Sequence, residues 1–302
     1  MSGEYSSLPL GGLGVLRARG ADAVSFLQGQ VSNDVSRLAP HRSLLAGYHN
    51  PQGRVIALMR LLQLAPDDVL AIVPRELIGR LLERLGKFIL RAKVKLTDDS
   101  QAWTISGLIL TGTGPQTAPF AAALPAGVNQ AASLGEWIAV RIAQQPPRWL
   151  CVGPAAQAWA PAHCTTVAAV VWQRLAIGSG EPQVYASTCE AFVAQMLNLD
   201  VLGAIAFDKG CYTGQEVIAR AHYRGRVKRR LQRFRSAEPA QLKAGDTGVL
   251  ADGRSFTVVE AAALEDGGCE FLAVAPVVSD GSAASGDAIS ARQLQLPYPL
   301  PA

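Results

Sequence analysis

Turn signals divide the C-terminal part of the chain into short apolar runs, and this pattern constrains the fold more than any other feature. After about residue 226 the signals are AGD, ADG, EDGG and SDG. Regular turns between short strands are typical of a small antiparallel barrel or sandwich. We therefore expect a β-domain over 226–302, with a domain boundary near Gly225.

The preceding region, 1–225, mixes helix and strand patterns in irregular order. Asn50-Pro51-Gln52-Gly53 is a turn signal between two apolar runs, which predicts a hairpin over 44–64. Pro74 can open a helix because its missing N–H costs nothing there, and apolar residues follow at helical spacing. The irregular order favours an α+β fold over a doubly wound parallel sheet. The other expected elements are helices at 21–30 and 165–177 and strands at 69–73, 101–110, 136–143 and 149–152.

The composition is that of a folded protein with a large core. Of 302 residues, 49% are hydrophobic and only 17% are charged, which disfavours a disordered chain. The net charge of +4 is too small for a protein dedicated to coating nucleic acid. No apolar run reaches the roughly 18 residues of a transmembrane helix, and the start lacks the basic residues of a signal peptide. We therefore expect a cytoplasmic protein without membrane contact.

The cysteines are scattered, odd in number and never spaced as CxxC, which makes a disulfide framework or a zinc site improbable. Reduced thiols in the cytosol are the expected state, and no metal site is expected. The five cysteines are Cys151, Cys164, Cys189, Cys211 and Cys269.

One cysteine lies in an unusual segment, FDKGCYTGQEVIAR, at 207–220. Thr213 and Glu216 match a capping box, which predicts a helix from Gly214 towards His222. Glu216 and Arg220 are four residues apart and could pair on the surface of that helix. The pattern therefore places Cys211 just before a helix N-terminus.

Two charges favour a thiolate at Cys211. The N-terminus of a helix carries partial positive charge, and the ammonium group of Lys209 adds a full charge two residues away. Gly210 and Gly214 permit a tight backbone around the sulfur. The alternative is a buried, inert cysteine in a loop, which is how most free cysteines behave.

The run KGCYTGQE resembles the signature of the YgfZ family, a branch of the folate-binding proteins related to the T-protein aminomethyltransferase of the glycine cleavage system. FLQGQVSND, GYHNPQGR and LRAKVKL resemble the family as well, in the expected order. The resemblance spans about residues 15–235.

The resemblance implies an α+β fold of three lobes, two of them α+β and the third a small C-terminal antiparallel β-barrel. It implies tetrahydrofolate as a ligand and a role in assembling or repairing iron–sulfur clusters in client enzymes, including tRNA-modifying enzymes. The three-lobed fold that the resemblance implies needs no partner chain, so we expect a monomer. Cys211 and Lys209 would carry the chemistry. The residues expected at the folate site are Asn33, Asp34, Tyr48, Trp172, Tyr212, Gln215, Glu216, Arg220 and Arg224.

The sequence departs from the transferases at two positions and from the family at a third. Their catalytic aspartate loop corresponds here to PRELIG, with Glu76 as its only acid. Their pterin-gripping glutamate, matched on Pro182, corresponds to Gly178, and a family tryptophan near the N-terminus corresponds to Leu13. A carboxylate is the natural partner of the donor edge of a pterin. Aminomethyl transfer is therefore doubtful, and whether the chain is an enzyme stays open.

Three of the folate-site residues have an equally ordinary structural interpretation. Trp172 could stack on folate, since a flat heteroaromatic ring packs well on indole, or it could belong to the apolar core of a helix. Asn33 and Asp34 could line the folate cleft, or they could terminate the first helix through side-chain bonds to the backbone.

We expect Gln195 and Asn198 to support the cysteine loop.

A basic run at 220–235 contains no acidic residue. It could contact RNA phosphates weakly, bind the glutamate tail of a folate, or form a solvated surface. A tRNA-binding module is accordingly a third hypothesis, which charge removal at Arg229 and Arg230 would test. The basic residues are Arg220, Arg224, Arg226, Lys228, Arg229, Arg230, Arg233 and Arg235.

Overall fold

The fold is known from a computed structural model that describes residues 4–112, 118–157, 159, 164–225, 227–239, 241–277 and 288–301. Strands dominate and the helices are few and short, so the expected α+β class is confirmed. The helices are α1 (Ala23–Gln28), α2 (Ile78–Gly86), α3 (Ala169–Gly178) and α4 (Gln215–Tyr223). The strands are β1 (Tyr5–Pro9), β2 (Leu13–Arg19), β3 (Leu44–His49), β4 (Val55–Ala65), β5 (Asp68–Pro74), β6 (Lys95–Asp98), β7 (Trp103–Leu110), β8 (Ala131–Leu134), β9 (Trp137–Ala143), β10 (Arg148–Pro154), β11 (Cys164–Thr166), β12 (Arg229–Ser236), β13 (Thr247–Leu250), β14 (Ser255–Ala263), β15 (Cys269–Pro276), β16 (Ala288–Ile289) and β17 (Ala291–Leu294).

One six-stranded sheet has the order β11-β1-β7-β10-β9-β8. Its buried face is lined by large side chains such as Tyr5, Trp137 and Trp149. The indole N–H of Trp149 donates to the Pro125 carbonyl at 2.9 Å, so the buried polar end of this ring is satisfied. The helix expected at 165–177 begins only at Ala169, because residues 164–166 pair in parallel with β1.

The five-stranded sheet has the order β3-β4-β5-β2-β6 and contains the predicted hairpin. Helix α2 packs on this sheet, and a Cβ atom at Gly14 of β2 would lie 2.6 Å from the Ile78 side chain, so the close approach requires glycine. The expectation that Pro74 opens the helix is wrong. Pro74 ends β5, a 3₁₀ turn follows at Arg75–Leu77, and α2 starts after it.

The second six-stranded sheet has the order β16-β13-β14-β15-β12-β17 and contains the expected C-terminal strands. Phe234, Phe256 and Phe271 pack together at its centre, with ring centroids about 5.5 Å apart. Most neighbouring strands are antiparallel, as expected, but β13 and β16 pair in parallel. The SDG turn signal at 279–281 lies outside the described residues.

The chain divides into two compact units. The first comprises Met1–Ala46 and Met59–Ala169, and the second comprises Gly47–Leu58 and Val170–Ala302. The tip of the β3–β4 hairpin thus belongs to the same unit as the cysteine segment and the C-terminal sheet. The domain division into 1–225 and 226–302 stays a prediction. Among the described residues, no helix has the length and apolarity needed to cross a membrane.

Candidate functional site

The cysteine segment leads into α4, as the sequence predicts, but through a different cap. Gly214 is the N-cap residue, in the left-handed conformation with φ +84°, and no side chain caps the helix. The expected capping box of Thr213 and Glu216 is therefore wrong. The left-handed residue that ends the loop must be glycine, because a Cβ there would be strained as well as crowded.

The hairpin tip crowds Gly214 from the opposite side. A Cβ atom on Gly214 would lie 2.5 Å from the Asn50 carbonyl oxygen, and one on Gly53 would lie 3.1 Å from Val217 of α4. The Asn50 side-chain oxygen accepts from the backbone N–H groups of Gln52 and Arg54, both at 3.0 Å. These bonds fix the turn, so the start of α4 rests on a rigid support.

The hairpin tip is itself tied to residues 190–193 within the same unit. The Asn50 amide donates to the Glu190 carboxylate at 2.8 Å, and the Arg54 guanidinium donates to the Ala191 carbonyl at 2.7 Å. The backbone N–H of Val55 donates to the Phe192 carbonyl at 2.8 Å. The turn that supports α4 is thus held by side-chain and backbone bonds together.

Cys211 is the exposed one of the five cysteines, all of which are free thiols. Cys151 and Cys269 are buried, and burial raises the pKa of each thiol. Burial also raises the pKa of Cys164, to about 11. Cys211 is therefore the thiol most accessible to an outside reactant, and the alternative of a buried, inert cysteine does not describe it.

Lys209 lies over a neighbouring ring in the loop. Its ammonium nitrogen is 5.0 Å from the ring centroid of Tyr212, in the range of a cation–π contact. Tyr212 is buried, and this burial raises the pKa of its phenol to about 12. Lys209 is thus held in the loop, two residues from Cys211.

His49 is a buried residue beside this loop that the sequence did not single out. It is 1% exposed, and its ring centroid lies 6.2 Å from that of Tyr212. Neither ring nitrogen makes a hydrogen bond of good geometry with a described residue, although the Gly47 backbone is near enough to favour the charged form. Burial nevertheless lowers the pKa of His49 to about 3. The imidazole is therefore neutral, and the only signal for it was its place in GYHNPQGR.

The side-chain amides of Gln195 and Asn198 donate hydrogen bonds to different elements. The Gln195 amide donates to the Ile218 carbonyl of α4 at 2.7 Å, so this residue does support the helix after the cysteine loop. Asn198 instead donates to the Leu231 carbonyl of β12 at 3.0 Å.

Trp172 lies on α3 and is partly exposed. The next residue, Gln173, donates to the Glu260 carboxylate at 2.5 Å, and the Tyr185 hydroxyl donates to the other oxygen of the same carboxylate at 2.5 Å. Burial raises the pKa of Glu260, while these two bonds act in the opposite direction. The residue next to Trp172 on α3 therefore binds a buried carboxylate, and no sequence pattern predicted this contact.

Gly178 ends α3 at the position where the transferases have a glutamate. A guanidinium group lies beside it. A Cβ atom on Gly178 would lie 3.6 Å from Nη2 of Arg233, and Nη1 of the same side chain donates to the Gly178 carbonyl. Arg233 is paired with the Glu270 carboxylate. The described residues therefore place a neutralised ion pair at the end of α3.

The remaining predicted folate residues fall into two groups. In the first unit, Asn33 donates to the Leu45 carbonyl at 2.7 Å, and Asp34 accepts from Ser36 and Arg37. The hydrogen bond from Ser36 contributes most to lowering the pKa of Asp34. These local bonds favour the interpretation that both residues shape the chain after α1.

In the second unit, Tyr48 is buried on β3, and Gln215 is half-buried at the start of α4. Glu216, Arg220 and Arg224 are exposed. The expected ion pair between Glu216 and Arg220 is not formed in the described structure. A role for these residues in folate binding stays a prediction.

The basic run divides into two sets with different surroundings. Four arginines of β12 have internal partners: Arg229 donates to Ser255, and the other three pair with carboxylates, namely Arg230 with Asp200, Arg233 with Glu270 and Arg235 with Asp266. In contrast, the side chains of Arg220, Arg224 and Lys228 are exposed and have no ion-pair partner in the described part of the chain. Arg226 lies outside the described residues.

This division shows that charge removal at Arg229 and Arg230 is not a suitable test of RNA binding. Arg230 is buried in a two-bond pair with Asp200, both bonds at 3.0 Å, so removing its charge would disturb the fold rather than probe a surface. Within the described residues of the run, the exposed cations without an ion-pair partner are Arg220, Arg224 and Lys228.

Comparison with known proteins gives relatives and a fold. The tRNA-modifying protein YgfZ of Edwardsiella ictaluri (strain 93-146) is 32% identical over 278 residues, covering 86% of this chain and 81% of that protein. The tRNA-modifying protein YgfZ of Escherichia coli (strain K12 / DH10B) is 31% identical over 258 residues, covering 82% and 78%. An uncharacterized protein of Haemophilus influenzae is 29% identical over 232 residues, covering 76% and 74%. No protein-family model matches the chain.

Among solved structures, the glycine cleavage system aminomethyltransferase T from Bartonella henselae matches with a TM-score of 0.69. The match covers 91% of this chain and 79% of that protein, at 15% sequence identity. At this identity the likeness shows the fold alone. It confirms the T-protein-like α+β fold that the sequence motifs imply.

Proposed function

The chain belongs to the family of the tRNA-modifying protein YgfZ, and from this premise we propose that it is a tetrahydrofolate-binding accessory protein. In this role it supports the assembly or repair of iron–sulfur clusters in client enzymes such as tRNA-modifying enzymes. Cys211 is the working thiol, and the protein acts as a maturation factor in the cytoplasm as a monomer.

The observation that carries this proposal is the exposure of Cys211 on a rigid support. The other thiols are buried or partly buried, whereas Cys211 is open and lies three residues before the Gly214 cap. Close packing of Gly214 against Asn50 fixes the loop, so the sulfur is offered at a defined place. A thiolate is the form that bonds to iron or attacks a sulfur atom.

Folate fits the second unit through stacking and charge. Trp172 offers a partly exposed indole for the pterin, and the exposed guanidinium groups of Arg220 and Arg224 suit the carboxylates of a glutamate tail. The donor edge of the pterin has no carboxylate at Gly178, where Arg233 and Glu270 already neutralise each other. When bound, folate would supply one-carbon chemistry or a binding signal.

The alternative function, a folate-dependent one-carbon transferase, has less support. Such a reaction needs a carboxylate near the reacting carbon, and the loop that holds it in the transferases has only the exposed Glu76. Formation of methylenetetrahydrofolate from an amine donor by the purified protein would revive this alternative.

The thiol role is tested by replacing Cys211 with alanine, with Cys189→Ala as the matched control at a partly buried thiol. Cells that depend on each variant are assayed for a tRNA modification that requires an iron–sulfur enzyme. Cys211→Ala should abolish the modification while the protein keeps its thermal stability, and Cys189→Ala should keep it. Full function in Cys211→Ala would refute the thiol role.

Folate binding is tested by calorimetry under reducing conditions. Wild-type protein should bind tetrahydrofolate saturably, and Trp172→Ala should lose about tenfold in affinity, since an aromatic pair contributes roughly 0.5–1.5 kcal/mol beyond the area it buries. Val170→Ala changes an exposed apolar residue of the same helix and should bind normally. Unchanged binding in Trp172→Ala would remove this residue from the folate site.

A further inference from the structure

Three aromatic rings meet at the C-terminal end of α4. The rings of Phe207 and His222 are stacked, with centroids 3.8 Å apart and planes inclined by 16°. The Tyr223 ring lies edge-on to both, at 6.1 Å from Phe207 and 4.7 Å from His222. Tyr223 is 68% exposed, so this is a surface cluster and not part of the core. We call these three residues the aromatic platform.

Cationic residues lie close in sequence to the aromatic platform. Arg220 lies on α4 one helical turn before Tyr223, on the same side of the helix, and Arg224 is the residue that directly follows the helix end. Lys228 follows four residues after Arg224, and residues 217–228 contain no acidic side chain. The nearest acids in sequence are Asp208, beside Phe207, and Glu216, at the opposite end of α4.

A purely structural role explains only part of this arrangement. Arg220 and His222 lie in the last turn of α4, where cations stabilise a helix through its dipole. That interaction does not require an exposed tyrosine or a histidine stacked on phenylalanine. Large exposed aromatic side chains beside unpaired cations are, in contrast, what a protein uses to hold unpaired nucleotides.

We propose that the aromatic platform, with Arg220, Arg224 and Lys228, binds an unpaired segment of RNA. A base stacks on the exposed rings, and the guanidinium and ammonium groups contact the flanking phosphates. Phe207 lies four residues before Cys211 in the sequence. One ring of the aromatic platform therefore belongs to the same loop as the thiol. The proposal rests on the ring geometry and the unpaired charges, and it does not require that folate binds.

The proposal is tested with a fluorescently labelled single-stranded RNA of about 12 nucleotides, a length that suits such surfaces. Anisotropy titrations are made with the full chain without tetrahydrofolate, because the proposed folate site uses Arg220 and Arg224 as well. Tyr223→Leu should weaken binding about tenfold, because it keeps an apolar side chain but removes the stacking ring. Tyr223→Phe should restore nearly wild-type affinity.

Charge is tested separately by Lys228→Gln, with Lys243→Gln as a matched control at another exposed lysine of the same unit. Lys228→Gln should weaken binding and lower the slope of log affinity against log salt by about 0.7, and Lys243→Gln should change neither. Equal binding of single-stranded and duplex RNA, or equal affinities for Tyr223→Leu and Tyr223→Phe, would overturn the proposal.

The outcome is independent of the proposed function. The same variants are titrated with tetrahydrofolate by calorimetry, where Tyr223→Leu should bind like wild type. Loss of RNA binding with folate binding intact would support the platform. A protein that binds folate but no RNA would overturn the platform and leave the accessory function standing.

Discussion

Gly214 and Asn50 approach each other so closely that a Cβ atom on Gly214 would lie 2.5 Å from the Asn50 carbonyl oxygen. The two residues are far apart in the sequence, yet their contact sets where α4 begins and how the Cys211 loop is held. Since Gly214 also has φ +84°, any other residue there is both strained and obstructed. The support of the thiol thus depends on one glycine.

Gly214→Ala should therefore destabilise the protein by about 2–4 kcal/mol, from left-handed strain and displacement of the hairpin tip. Urea denaturation measures the change. Gly203 has a similar positive φ of +67°, but a Cβ atom there would have no neighbouring atom within 4 Å. Gly203→Ala should therefore lower the free energy of unfolding by only about 1 kcal/mol. Gly210→Ala lies in open space and should be nearly neutral. Equal losses at 203 and 214 would show that the contact with Asn50 contributes nothing.

The buried pair of Arg230 and Asp200 should be essential to the fold of the second unit. Both side chains are almost fully buried, so Arg230→Gln leaves an uncompensated charge and should cost about 3–5 kcal/mol. Arg235→Gln breaks the exposed pair with Asp266 and should cost less than about 1 kcal/mol. Chemical denaturation of both variants checks the difference. Similar costs for the two changes would contradict the assignment of Arg230 to the core.

The sequence predicts those elements whose signals are local. The hairpin around Asn50-Pro51-Gln52-Gly53 and the helix after Cys211 are formed by residues close together in the chain, and both are present. The strand at 164–166 was missed because its partner, β1, lies about 160 residues away. Pro74 fits a helix start as well as a strand end, and pairing with β2 decides between them.

The candidate site shows the same limit. KGCYTGQE identifies the exposed thiol directly, but a basic run gives no sign of which cations are already paired. Arg230 and Arg224 look alike in sequence, and only the distant Asp200 distinguishes them. His49 is similar: no neighbouring residue in the chain predicts that it is buried against Tyr212.

His49 should make stability depend on pH. Its pKa is about 3 in the folded protein because of burial, against an ordinary value of 6.5. Below pH 6.5 the unfolded chain binds a proton that the folded chain does not, so stability falls as the pH decreases from 6.5 towards 3. The contribution of His49 between pH 7.5 and pH 5 should be a loss of about 2 kcal/mol.

His49→Phe keeps a flat ring of similar size and removes the titration. Urea denaturation at pH 7.5 and pH 5 should therefore show a smaller loss in the variant than in wild type, by about the same 2 kcal/mol. Tyr212, with a pKa of about 12, does not titrate in this range. Identical pH dependence in the two proteins would mean that His49 is protonated in the folded state.

Alkylation should single out Cys211 among the five thiols. In native protein at neutral pH, iodoacetamide should modify Cys211 at least about tenfold faster than Cys151 or Cys269, since these two are buried and burial raises their pKa. Peptide mapping by mass spectrometry measures each site, and in urea all five should react at similar rates. Because reaction needs both access and thiolate, fast modification of Cys189 with slow modification of Cys211 would move the working thiol away from the KGCYTGQE loop.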